Sequence, residues 1–106
     1  MVLRLVLWSL GDADAGLDEL RAHLRETAVD ENGRLPGLLF AAWISDEASE
    51  RFGFVQLWSS REAADQPLPR ETRELLGKDP EVVELFDVEA TASVAEELTR
   101  LGLSFR

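Results

Sequence analysis

No cysteine occurs among the 106 residues, which excludes a disulfide framework, a thiol nucleophile and a thiolate metal site. Tyrosine is absent too, and His23 is the only imidazole. A Ser-His-Asp arrangement could therefore draw on His23 alone. The seven glycines are scattered, so no Gly-rich phosphate loop is present. Positive charge is scarce: 11 Lys+Arg stand against 21 Asp+Glu, a formal charge of −10. That field repels a phosphate backbone, so neither nucleic acid nor an anionic membrane is an expected partner. No apolar run is long enough to span a bilayer. The run after Arg4 is only about half the length of a signal-peptide core, and acidic residues follow at once. It reads as a first strand, and the expected location is cytoplasmic.

What is present is an ordinary globular balance, 45% hydrophobic and 30% charged, in a length that suits one domain over residues 1–106. Residues 2–10 are β-branched and large apolar, closed by Gly11-Asp12. The period then changes, with Leu17, Leu20, Leu24 and Ala28 at helical spacing over residues 14–29 and Asp12 or Asp14 as a cap. Asn32-Gly33 ends that helix. Residues 38–44 and 52–58 read as a second and third strand joined by a polar connection of hairpin length. Ser59-Ser60-Arg61-Glu62 fits a capping box, so a helix begins near Ser60. Pro67 and Pro69 interrupt it, and a further helical stretch runs over 70–76 to a stop at Gly77. Asp79-Pro80-Glu81 resembles another helix start. The clean alternation of Phe86, Val88, Ala90, Ala92 and Val94 predicts a fourth strand over 86–94, and Ser93 opens a short C-terminal helix ended by Gly102.

The order β-α-β-β-α-β is that of a ferredoxin-like α+β domain, an antiparallel sheet with its helices on one face. Three of the four strands are apolar on both faces: Leu3, Leu5 and Leu7 oppose Val2, Val6 and Trp8, for example. Helices can cover only one face. Each large side chain left in water forgoes roughly 1.5–3 kcal/mol of burial, and so broad a patch is unusual on a monomer. The simplest cover is a second copy packed sheet to sheet about a two-fold axis. A homodimer through the sheet face is expected.

The stretch Pro36-Gly37-Leu38-Leu39-Phe40-Ala41-Ala42-Trp43 leads into a polar hairpin, an aromatic-rich strand and a capped helix, and Phe86-Asp87-Val88 opens the last strand. In these motifs and in element order over about residues 2–94, the chain resembles the YdhR-like monooxygenase-type proteins. These belong to the dimeric α+β barrel superfamily, which includes the antibiotic-biosynthesis monooxygenases. The resemblance implies a pocket between sheet and helices and oxidation of a small aromatic or polyketide-type substrate by O2 without a metal, flavin or other cofactor. The chemistry it implies is deprotonation of the substrate, then electron transfer from the carbanion to oxygen. The chain departs from the family in two places. Residues 60–76 contain no His, which sets aside the haem-degrading branch with its axial His on that helix, and the frequent pocket Tyr is missing.

Each candidate residue has two readings. His23 lies about 100° from the centre of the Leu17-Leu20-Leu24 stripe: a flanking, partly solvated side chain, or the acid–base group of the reaction. Trp8, Trp43 and Trp58 are core or interface packing, or walls for a flat ligand shared with Phe40, Phe54 and Phe86. Gln56 hydrogen-bonds across the sheet or contacts the ligand. Arg4, inside an apolar strand, pairs with an acid such as Asp87 or Glu89 or orients an anionic ligand. Metal binding would need further His or clustered carboxylates. A small aromatic or apolar ligand is the expected partner of an enzyme. The alternatives are a non-catalytic module of the same fold that binds a hydrophobic ligand or serves as a dimeric scaffold, and an isomerase or cyclase working through a carboxylate of raised pKa.

Overall fold

The computed structural model describes residues 1–28, 35–68 and 70–92. Val2–Ser9 forms β1 and runs down the middle of the sheet. Helix α1, Leu17–His23, continues as a π-helical segment, Leu24–Ala28. It starts later than the sequence suggests: neither Asp12 nor Asp14 caps it, and the N-cap is Gly16, which has no side chain to offer. β2, Leu38–Asp46, and β3, Arg51–Trp58, make a hairpin whose turn is residues 47–50, with Glu50 at φ 51°. Arg21 of α1 holds that turn through Glu47 at 2.8 Å. Ser60 caps α2, Arg61–Ala64, its hydroxyl accepting from the Ala63 N–H. Helix α3, Arg70–Leu76, stops at Gly77, whose φ of +72° suits glycine and whose N–H returns to the Arg73 carbonyl. β4 is Val82–Asp87.

The sheet order is β2-β3-β1-β4 and every neighbouring pair is antiparallel, the ferredoxin-like arrangement. Two expectations are corrected here. Asp79-Pro80-Glu81 starts no helix, and the fourth strand lies at 82–87 rather than 86–94. Pairing with β1 decides it: Val82 and Phe86 stand opposite Leu7 and Leu3, and these cross-strand pairs outweigh an alternation to which Ala90 and Ala92 bring little side chain. The C-terminal helix expected from Ser93 and the stop at Asn32-Gly33 lie outside the described residues.

Antiparallel partners share a face, so the ladders sort every strand residue. The face that carries the helices holds Val2, Arg4, Val6 and Trp8 of β1, Phe52, Phe54, Gln56 and Trp58 of β3, and Ala41 and Trp43 of β2. Two apolar clusters fill it. One joins Val6, Trp8, Phe52 and Phe54 to Leu20 of α1 and Leu76 of α3. The smaller one joins Val2 and Trp58 to Ala64 of α2. Among the described residues the opposite face carries no helix. On it lie Leu3, Leu5 and Leu7, Val55 and Leu57, Phe40, Ala42 and Ile44, and Val82 and Phe86, with Glu84 the one charged group away from the hairpin end, where Arg51 and Asp46 lie. Gly53 completes this face, because a Cβ there would run into the Val6 carbonyl oxygen.

Lys78 fastens the approach to β4, bonding Asp12 at 2.5 Å and Glu81 at 2.6 Å, while Glu81 also accepts the Ser9 N–H. The Lys78 hydrogen bond is the main cause that holds both carboxyls below their ordinary values of 3.8 and 4.5. A depressed carboxyl contributes stability above its unfolded pKa and loses it as pH falls through the folded one. Thermal stability is therefore expected to fall as pH drops below about 4.5, and Lys78→Met to flatten that limb in a series of melting curves.

Candidate functional site

Between the two apolar clusters runs a polar row. Arg4 of β1 stands directly opposite Gln56 of β3, and both are buried, at 5% and 1% exposure. Arg4 Nε and Nη2 donate to Gln56 Oε1 at 3.0 and 2.8 Å. Its Nη1 donates to two main-chain carbonyls, Ala64 at 3.1 Å and Gln66 at 2.6 Å. Those carbonyls are free because the helix fails: α2 ends at Ala64, and Pro67 has no N–H with which to continue it. The helix break foreseen in the sequence thus supplies the acceptors for a buried cation.

Arg4 does not pair with Asp87, as the sequence suggested. Asp87 lies one row further along, opposite Val2, and is taken by Arg61 at 2.8 Å. Burial lowers the Arg4 pKa from its ordinary value, and Asp65 opposes this through space. The guanidinium lies 5.3 Å from the centre of the Trp58 ring, a cation–π distance. Trp58 is itself fully buried, and its indole N–H has no acceptor among the described residues. Buried donors nearly always find a partner, and Trp58 Nε1 is an exception among the described residues.

The aromatic wall beside this row is Phe54 and Trp8, with ring centroids 6.0 Å apart. Trp43, half-buried, packs against the same cluster. Of the residues singled out from the sequence, Trp8, Trp43, Phe54, Gln56 and Trp58 share the helix-bearing face. Phe40 and Phe86 sit on the other face, opposite Leu57 and Leu3, and cannot line the same pocket. His23 is half-buried at the end of α1, beside the Leu20 and Leu24 that pack on the larger cluster. A separate open hollow of about 280 Å³ is lined by Arg70, Arg73, Glu74, Lys78 and Asp79, none of them a residue singled out for ligand contact. Among the described residues, no group of three or more His, Asp or Glu is placed to hold a metal ion, and no helix is long and apolar enough to cross a membrane.

The centrality of Arg4 was underrated from sequence, although the signal existed. In strict alternation Arg4 falls on the same side as Val2, Val6 and Trp8, just as Gln56 falls with Phe52, Phe54 and Trp58. Two polar residues in two such stripes mark a shared row.

No protein-family profile and no curated protein matches the chain. Solved structures do. A monooxygenase from the gene ActVA-Orf6 of Streptomyces coelicolor, in complex with nanaomycin D, superposes with a TM-score of 0.62 at 19% identity, covering 89% of this chain and 92% of that one. An antibiotic biosynthesis monooxygenase-like protein from Deinococcus radiodurans gives a TM-score of 0.51 at 18% identity, covering 89% and 96%. At such identities the likeness establishes the fold, the ferredoxin-like α+β fold of the antibiotic-biosynthesis monooxygenases, and activity has to be argued from the site.

Proposed function

We propose that this protein is a monooxygenase-like enzyme that oxidises a small aromatic or polyketide-type substrate with O2 on the helix-bearing face of its sheet. The carrying observation is the buried indole N–H of Trp58, without an acceptor among the described residues, across the Arg4–Gln56 row from the aromatic wall of Phe54 and Trp8. The solved neighbour that holds nanaomycin D on the same fold supports the reading. In the proposed reaction a substrate CH2 loses a proton, the carbanion passes electrons to O2, one oxygen atom becomes the new carbonyl and the other leaves as water. The substrate supplies all the electrons, so no cofactor is called for. The chain contributes apolar walls, a donor for the substrate oxygen at Trp58 and a proton acceptor, for which His23, the one imidazole of the chain, is the proposed group. In the same proposal two copies pack through their open sheet faces, in the manner of YdhR-like proteins.

Oxygen uptake tests the reading. Purified protein with a chelator is offered anthrone-like, hydroquinone-like and simple phenolic compounds. Protein-dependent consumption is expected with at least one of them, and His23→Ala is expected to lower it by about a hundredfold. Unchanged turnover removes His23 from the proton transfer. Silence over the whole panel, with binding retained, assigns the face to ligand binding without turnover.

A further inference from the structure

On the helix-bearing face, β4 is poorly covered. It presents Val83 opposite Val6 and Leu85 opposite Arg4 on that side, at 50% and 42% exposure. Their β1 partners Val6 and Arg4 are buried, at 0% and 5%, so the cover stops between β1 and β4. No β4 residue belongs to either apolar cluster of the described core. Side chains two apart in a strand point the same way, so Val83 and Leu85 form one apolar strip open to water.

The chain carries a matching stripe further on. The described residues end at Ala92, and residues 93–106 follow. Ser93 and Glu96 fit a capping box, Val94, Leu98 and Leu101 stand at helical spacing, and Gly102 is a stop. Glu96, Thr99 and Arg100 fall away from that stripe. A helix this short is marginal in water unless its apolar side has a surface to pack on. The lengths agree. Residues 93–101 as a helix span about 13 Å, and β4 from Asp87 back to Val83 spans about 13 Å too. The connection, residues 88–92, has the usual length of a strand-to-helix loop. Extended, it reaches about 16 Å, enough to clear a helix about 10 Å across. On its other side β4 sets Glu84 between Val82 and Phe86, which breaks the apolar strip there.

We infer that residues 93–101 fold back as a helix antiparallel to β4 and lay Val94, Leu98 and Leu101 on Leu85 and Val83 of the same chain. A tether as short as residues 88–92 holds the stripe at an effective concentration of about a millimolar, which favours it over a second copy at micromolar protein. The inference goes beyond the proposed function. It concerns the β4 edge of the sheet, and neither oxygen uptake nor pairing through the open faces depends on it.

Because the chain has no cysteine, an introduced pair can be cross-linked cleanly. Leu85→Cys with Leu98→Cys, treated at about 10 μM with a short bis-maleimide, is expected to link within one chain and to run as a monomer of altered mobility on a denaturing gel. Leu85→Cys with Thr99→Cys should link more slowly by about tenfold or more, because Thr99 lies across a helix about 10 Å wide. Linked dimers would put the stripe on a second copy. That result, equal rates for the two pairs, or no linking overturns the inference. Hydrogen exchange gives a second measurement on the unaltered chain. Amides of residues 97–101 should exchange at least about tenfold more slowly than in a free peptide of residues 93–106, and Val83→Asp should remove the difference. Exchange at the peptide's rate in the wild type, or protection undiminished in Val83→Asp, overturns the inference equally.

Discussion

Replacing Trp8 with alanine is expected to remove about 3–5 kcal/mol of stability, a large part of the roughly 5–15 kcal/mol available to a single domain. Trp8 is fully buried at the centre of the larger cluster, tilted against Phe52 and Phe54 with centroids at 6.5 and 6.0 Å. It also ties sequence-distant pieces together, because its indole N–H donates to the Lys78 carbonyl at 3.1 Å. That bond pins the connection between α3 and β4 to the end of β1. Alanine would open a cavity between the sheet, α1 and α3, and leave the carbonyl without its donor. Trp8→Phe keeps the ring contacts in part and loses the bond, so its cost should be nearer 1–3 kcal/mol. Urea unfolding, with the slope unchanged and the midpoint shifted, measures both. A Trp8→Ala variant within about 1 kcal/mol of the wild type would show that this cluster is not the core.

The order of elements could be read because the local signals are strong where they occur. The Ser60 cap, the break at Pro67 and the stop at Gly77 each act within one turn of chain, and all three stand where the sequence put them. What escaped depends on partners distant in sequence. The last strand was misplaced because 86–94 alternates better than 82–87, and only the β1 ladder, with Leu3 opposite Phe86 and Leu7 opposite Val82, reveals which stretch is paired. Phe40 was offered as a wall of the same pocket as Trp43, but three residues apart in a strand they face opposite sides, Phe40 opposite Leu57 and Trp43 opposite Phe54, and the irregularity between Leu38 and Phe40 instead brings Leu38 to the Trp43 side, opposite Trp58. The Arg4–Asp87 pairing failed by one row for the same reason, since a register fixed across two strands decides which acid lies opposite. The candidate site was therefore legible as a set of aromatic residues, and its polar centre only as two out-of-place side chains.

Replacing Val55 with glutamate is expected to split the proposed dimer into monomers while leaving the subunit folded. Val55 lies on the open face of β3, with Leu5 beside it on β1, Ala42 on β2, and Glu84 beyond Leu5 on β4. This middle row is flanked by Leu3, Leu57, Phe40 and Phe86 on one side and by Leu7, Ile44 and Val82 on the other. An apolar field of that breadth matches a standard interface, about 800 Å² from each partner. Across a two-fold axis the substitution occurs twice, so two carboxylates would be carried into the centre of the contact without a cation opposite them. Each unpaired buried charge costs several kcal/mol, which exceeds what a micromolar dimer can absorb. In the separated subunit the same side chain faces water, where substitutions usually change stability by no more than about 0.5 kcal/mol. Sedimentation at about 10 μM should therefore give a dimer for the wild type and a monomer for Val55→Glu, with matching circular dichroism. A wild-type monomer, or a Val55→Glu dimer, would mean that something other than this face joins the copies or that nothing does. A subunit that stays alone in water must then leave Phe40, Ile44 and Phe86 exposed, at the burial loss of roughly 1.5–3 kcal/mol for each large side chain that the sequence already made the reason to expect a partner.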